Sequence, residues 1–375
     1  MHGQSLGRRP RWAGWIMVGV IATVASGILA ESPKFDPLDS LSPGTSRAEA
    51  LALPLQTVTL STASIEQVRL FYVEGMGMTL SGPIAVPDAT KQQQRALWEI
   101  PDAIDWQEYH LTRPDATISG RPAMSVRVLA LDTPTPTIHA SWNSLSLGGF
   151  SMGFPNRRQP ELDKRIRKLG FGALNALEIY DVPRTDGTTY TIHETIFNAP
   201  DFVHAVGIDR LGMLPLGAVD TETGLGGPGY SAQVVLDSDK VLAFYLDVLG
   251  LELRRDDVWQ SAGEDGAMDL PNGTAFRFSI VFAKGYGPGG HLLFVDYTDG
   301  EAIANNAPAR VPNRGIGMWS FPVTDLAEVA RRATDFGARI VHQPVTIEDP
   351  LHGLVHAMTV LAPNGFLVEL YEAAP

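Results

Sequence analysis

From Ser64 to Leu80 the apolar residues fall at helical spacing, with Val68, Phe71 and Tyr72 on one side, and Gly77 interrupts the run. Apolar positions at i, i+3 and i+4 predict a short amphipathic helix. The glycine predicts a left-handed turn that ends it, with a strand beyond. Upstream, Val58 and Leu60 alternate with polar residues, as a strand requires. The same pattern returns from Asp237 to Leu253, where Val241, Phe244, Tyr245 and Gly250 occupy the matching places. Each matched pair lies 173 residues apart, as Phe71 does from Phe244.

A second repeat lies between the copies of the first. Lys168–Ala173 corresponds to Ala333–Ala338, each closing a helix, and Phe154-Pro155 corresponds to Phe321-Pro322. The order along the chain is A-B-A-B, and repeats at such periods set the architecture. The expected division is a leader over residues 1–30, a flexible linker over 31–54 and an N-terminal module pair over 55–210. A Gly- and Pro-rich linker over 211–228 and a C-terminal module pair over 229–375 complete it.

Composition narrows the function. The hydrophobic share is 44% and the charged share 19%, an ordinary globular balance. The net charge of −13 disfavours a polyanionic partner, so nucleic acid is not expected. With no cysteine in the chain, thiolate catalysis, thiolate metal sites and disulfides are excluded. Arg8, Arg9 and Arg11 precede an apolar run from Trp15 to Leu29. A basic segment before a short apolar core is the layout of a secretory signal. Export to a periplasmic location is therefore expected, by a cleaved signal or with the segment kept as an inner-membrane anchor. Membrane contact is expected only in the second case.

Strand, helix, Phe-Tyr near the helix end and then Leu-Gly-Leu, together with the closing Ala362-Pro-Asn-Gly-Phe-Leu-Val-Glu-Leu-Tyr371, resemble the vicinal oxygen chelate superfamily of glyoxalase I, bleomycin-resistance proteins and extradiol dioxygenases. The resemblance implies an α+β fold of four βαβββ modules paired into two open-barrel lobes, each around one pocket. It also implies that a metal, when present, is held by the first strand of each module and by a last strand, where it chelates two neighbouring substrate oxygens.

Carried onto this chain, those positions fall on Tyr230, Met318 and Glu369, with Asp296 as a fourth, in the C-terminal lobe. In the N-terminal lobe they fall on Thr57, Ser151 and Ala205. Tyr and Met do not replace the imidazoles that hold Fe or Zn. No cofactor is therefore expected; the alternative is a divalent Fe, Mn or Zn on an oxygen-only set of Glu369, Asp296 and Gln233, which a one-residue strand slip would turn inward. His352 through Glu369 partly resembles the extradiol dioxygenase signature, with Met358, Ala362-Pro363 and Gly365 in place and Thr359 where a tyrosine belongs. Glu369 and His356 are the candidate catalytic groups, and Tyr230, Met318, Ser320, Tyr371 and His352 the candidate ligand-binding ones. His193-Glu194 and His204 lack the spacing of a metal-binding helix and are read as strand and turn. The expected function is binding of a small oxygenated or aromatic compound in the C-terminal lobe, or its metal-independent lyase or isomerase chemistry. The alternative is an extradiol dioxygenase or glyoxalase-like metalloenzyme. A homodimer is left open.

Overall fold

A computed structural model describes residues 44–374 apart from 119, 185–186, 262, 264–265, 267 and 299–301. The expected leader over residues 1–30 lies outside the described residues. Four copies of one unit follow. The first has β1 (Thr57–Thr62), helix α1 (Ile65–Val68) continuing as a π-helical turn (Arg69–Gly75), β2 (Thr79–Ile84), an inserted helix α2 (Asp88–Leu97), β3 (Trp106–Thr112) and β4 (Ser125–Leu131). The second has β5 (Gly148–Pro155), α3 (Gln159–Lys168), β6 (Glu178–Pro183), β7 (Thr189–Asn198) and β8 (His204–Arg210). The third has β9 (Tyr230–Val235), α4 (Ser238–Ala243) with its π-helical turn (Phe244–Val248), β10 (Glu252–Gln260), β11 (Ala275–Phe282) and β12 (His291–Tyr297). The fourth has β13 (Gly315–Pro322), α5 (Leu326–Phe336), β14 (Arg339–Asp349), β15 (Gly353–Leu361) and β16 (Leu367–Ala373).

Local chemistry sets the helix ends. The side chains of Ser64, Asp237 and Asp325 accept from the backbone N–H three residues on, which satisfies a donor that the first turn leaves open. Gly77 and Gly250 take φ of 75° and 70° after the helices, as the repeat predicted. The paired aromatics Phe71-Tyr72 and Phe244-Tyr245 sit on the π-helical turns and are fully buried in the helix-side core with Trp319 and Phe321.

In every unit the first strand runs parallel to the last: β1 with β4, β5 with β8, β9 with β12 and β13 with β16. The joins between units do not follow chain order. β1 pairs antiparallel with β13, with Thr57 opposite Ser320. β5 pairs antiparallel with β9, with Gly153 opposite Tyr230. Barrel one is thus built from modules one and four, and barrel two from modules two and three. The expected pairs 55–210 and 229–375 are corrected by this register, because the strands that close each barrel come from opposite halves. Neighbouring modules touch through their helices instead, α3 against the π-helical turn after α1 and α5 against that after α4. The 31–54 linker is corrected in its described part. Leu51 and Ala52 are buried, and Leu51 and Ala52 N–H groups both donate to the Leu249 carbonyl.

Candidate functional site

The concave face of barrel one is filled. Arg127 stands on β4 in phase with Leu129, and its guanidinium is 0% exposed. It donates to both Asp349 oxygens at 2.7 and 2.8 Å and to Glu369 at 3.3 Å, and its Nε lies 3.4 Å from Glu108. The Trp98 ring stacks on it at 4.9 Å, and the Trp98 indole N–H donates to Glu369 at 2.8 Å. Trp98 is delivered by the α2 insertion, whose Gln94 also donates to Glu108. Burial opposes the charge of Arg127, but Asp349, Glu369 and Glu108 outweigh it and raise its pKa. Burial also opposes the Asp349 charge, and Arg127 overcomes it and holds that carboxyl below its ordinary range. Burial raises Glu369, against the pull of Arg127 and with the push of Asp349.

Of the expected site residues, Met318, Ser320, Glu369, Tyr371 and His352 do come together here. Met318 and Ser320 are fully buried and Glu369 nearly so. His352 stacks on Tyr371 at 4.1 Å, and burial followed by Arg127 lowers its pKa to about 3. The Tyr371 hydroxyl donates to Gln56. His356 is corrected. Thr359 lies opposite Glu369, so strand alternation puts Ala357 and Val355 on that face and His356 on the other, where it meets Thr346 at 2.9 Å. Tyr230 is corrected as well, since it belongs to barrel two. The oxygen-only metal set does not assemble. Gln233 accepts from Asn364 at 2.7 Å, Asp296 accepts from the Ser238 N–H at the start of α4, and Glu369 stays with Arg127. A fixed guanidinium already sits among the barrel-one carboxylates, so a divalent cation does not fit there. Among the described residues no group of three His, Asp or Glu is arranged to hold one elsewhere.

Barrel two is built differently at the same places. Arg127 lies opposite Thr59, and the matching pair in module three is Leu293 opposite Ala232. Glu369 lies opposite Ser320, and the matching pair in module two is Val206 opposite Gly153. The middle of this face is therefore apolar. Leu293 and Phe278 keep partial exposure there, whereas Arg127 and Glu108 at the matching places of barrel one are buried. The polar groups line one flank. Ile192, Glu194 and Ile196 alternate along β7 and face Tyr180 and Val206. The Tyr180 hydroxyl donates to Glu194 at 3.1 Å. Among the described residues no Lys or Arg forms an ion pair with Glu194, in contrast to Glu369. Burial, reinforced by Glu178 and resisted by the Tyr180 hydrogen bond, raises the Glu194 pKa to about 7. Strand register puts Tyr230 on the face of Val206, Ile196 and Glu194, and burial and then the Glu194 charge raise Tyr230 well above the ordinary tyrosine range. Tyr230 packs on His291 at 5.2 Å, and His291 stacks on Phe282 at 4.6 Å. Burial, then Arg210, lowers His291 to about 3, so it is neutral.

A carboxyl that ionises near neutrality, holding one tyrosine hydroxyl and facing another, can accept a proton from a bound molecule and return it. Sequence reasoning weighed Glu194 only as a metal ligand beside His193 and set it aside, although a glutamate in phase with Tyr190, Ile192 and Ile196 carried the signal of a pocket carboxylate. His193 and His204 do not join it in a metal site. His193 lies on the opposite side of β7, and His204 packs on Phe150 at 4.8 Å. The tryptophans separate in the same way: Trp98 plugs barrel one, and Trp259 stands beside Phe278 in barrel two. Trp142 borders a cavity of about 680 Å³ with Asn198, Asp201 and Arg314, where Asp201 is already paired with Arg314 at 3.5 Å.

Residues 227–370 match the family described as the Glyoxalase/Bleomycin resistance protein/Dioxygenase superfamily. Glyoxalase I from Zea mays has a similar structure, with a TM-score of 0.53 and 14% identity over 85% of this chain and 92% of that one. A putative dioxygenase from Bacillus subtilis gives a TM-score of 0.52 and 14% identity over 87% of each chain. No curated protein matches in sequence. At such identity the two structures speak to the fold alone. Residues 227–370 therefore match a domain of the Glyoxalase/Bleomycin resistance protein/Dioxygenase superfamily, and the four modules share the fold of these two solved structures.

Proposed function

We propose that barrel two takes up a small oxygenated or aromatic compound and that Glu194 exchanges a proton with it, in metal-independent isomerase or lyase chemistry. The observation that carries this reading is the contrast between the two carboxylates. Glu369 is buried against Arg127, whereas Glu194 is partly exposed beside Tyr180, with no paired cation among the described residues. The apolar floor of Ala232, Leu293 and Phe278 with a few convergent polar groups is what a small-molecule site requires. Among the described residues no three His, Asp or Glu side chains are arranged to hold a divalent metal, and no step is assigned to one. The reading also keeps the export expected from the Arg-flanked leader; mass spectrometry of the native protein checks it, and an intact cytoplasmic N-terminus would refute it.

The test is loss of the carbon-bound proton of 2-hydroxyacetophenone and hydroxyacetone to D2O, followed by proton NMR. Glu194→Gln should slow enzyme-dependent exchange by about 100-fold or more, the usual worth of a positioned base. Glu369→Gln should change it far less. Exchange that survives Glu194→Gln and vanishes in Glu369→Gln would move the site to barrel one. Binding without exchange would leave a ligand-binding protein.

A further inference from the structure

The cavity of about 680 Å³ beside Trp142 lies where three modules meet. Thr62 and Gln67 of module one, Asn198 and Asp201 of module two and Arg314 just before β13 line it. Trp142 itself lies in the connection from β4 to β5. None of the residues assigned above to the two concave faces lines this cavity. Its Trp142 ring is 41% exposed and yet fixed. The indole N–H donates to the Ala199 carbonyl at 2.8 Å, and the ring meets Phe202 edge to face at 4.8 Å. The fold thus presents a large apolar ring to the cavity without covering it. The backbone beside it is strained. Asp201 and Phe202 are consecutive and take φ of 58° and 59°, a left-handed conformation that is an outlier for a bulky side chain. Such strain gathers at ligand sites, where the surrounding structure holds it in place. The polar groups of the wall are planar ones. Arg314 gives its Nε to the Thr135 carbonyl at 2.9 Å and its Nη1 to Asp201 at 3.5 Å, and neither bond engages Nη2. The Asn198 side-chain oxygen is buried without a hydrogen-bond partner among the described residues.

Charge balance decides what fits. Asp201 and Arg314 are the charged side chains of the lining, one of each sign and paired. A charged guest would meet one of them as a like charge and draw the other out of its pair. A wholly apolar guest would strip water from Asp201, Asn198 and Arg314 without replacing its hydrogen bonds, which is costly. A neutral ring with C–H groups on its face and hydroxyls around its edge avoids both penalties. Its face lies on the indole, and its hydroxyls both donate to the carboxylate and amide oxygens and accept from the guanidinium. A pyranose has that form. We propose that this cavity binds a neutral sugar, stacked on Trp142 with its hydroxyls shared among Asp201, Arg314 and Asn198. The assignment does not rest on the barrel-two reading.

The experiment titrates the full chain with the methyl glycosides of glucose, galactose and mannose, each beside its uronate and its 2-amino counterpart, by saturation-transfer NMR. At least one neutral sugar should bind with a Kd of about 1 mM or below, and more tightly than its two charged counterparts. Trp142→Ala should weaken that binding at least about tenfold, which is about 1.4 kcal/mol, and leave the far-UV circular dichroism unchanged. Trp142→Phe should keep part of the affinity. If Trp142→Ala fails to fold, Arg314→Gln at its partly exposed position carries the test, with a loss of roughly fivefold. No binding of any neutral sugar, tighter binding of a charged counterpart, or binding that both variants leave untouched would each overturn the proposal. Binding lost in Glu194→Gln and kept in Trp142→Ala would also overturn it, since the sugar would then lie in barrel two.

Discussion

Replacing Arg127 by Met tests whether barrel one is held by charge. The substitution keeps an unbranched stem and removes the guanidinium shared by Asp349, Glu369 and Glu108, of which none is more than 5% exposed. Removing one partner of a buried ion pair costs about 3–5 kcal/mol, and three carboxylates left together put the expected loss at the upper end. The pH dependence follows from the direction of each shift. In the wild type Asp349 ionises below its unfolded value, so its contribution is present above about pH 4 and fades as pH falls. In the variant, burial and the repulsion between Asp349 and Glu369 act without the guanidinium that offset them, and the folded pKa values of these two groups rise above the unfolded ones. Such groups cost nothing below about pH 4 and destabilise increasingly as pH rises through the folded values. The gap between wild type and variant should therefore be widest near pH 8 and close toward pH 4. Urea unfolding followed by tryptophan fluorescence reads it: at a slope of about 3 kcal/mol/M, the midpoint should drop by roughly 1 M or more at pH 8. A variant as stable as wild type, or one destabilised equally at both pH values, would refute the reasoning, because it would mean that Arg127 acts by packing alone.

Other outcomes follow from barrel two. Glu194 has a folded pKa of about 7, above its unfolded value of about 4.3, so its favourable contribution is full below the latter and is lost as pH rises through the former. Thermal midpoints from about pH 5 to 8 should fall more steeply in wild type than in Glu194→Gln, and parallel curves would count against the raised value. In Gly153→Ala the new methyl would lie 1.8 Å from Tyr230 Cε1, so the ring must move; a loss of about 1–3 kcal/mol and a weakened response to ligands are expected in thermal-shift assays. Purified protein should hold less than about one tenth of an equivalent of Fe, Mn, Zn or Ni by elemental analysis, since among the described residues no three His, Asp or Glu side chains are arranged to hold one. Stoichiometric metal that disappears in Glu369→Gln would show that Arg127 yields its place.

The modules were legible because their signals are local. The helix stripe of Val68, Phe71 and Tyr72 and the turn glycine Gly77 recur at Val241, Phe244, Tyr245 and Gly250, and both copies fold alike. The partnership of modules was not legible. Which edge strand meets which is decided by packing between distant segments, and nothing in the alternation of β1 names β13. The same limit separated Tyr230 from Glu369, which share a role in the motif and not a barrel. His356 and Glu194 failed for a nearer reason. Strand phase decides the face, and in β15 the phase set by Thr359 turns His356 away, while in β7 the phase of Ile192 and Ile196 turns Glu194 inward. Arg127 could have been found in the same way, as a lone cation in step with Leu129 and Leu131.

The pairing of first with fourth and second with third modules nests one barrel inside the other along the chain, as brackets nest. Barrel two can close while barrel one still waits for its last strand, since Thr59 meets Met318 only after everything between them has been made. The long closure makes barrel one the late and slow element, and its buried ionic lock sets only then. Neither half of the chain is a unit that could be excised. The matched segment 227–370 owns a half of each barrel and the whole of none, so a fragment cut to those bounds would leave the open edges of β9 and β13 without their partners.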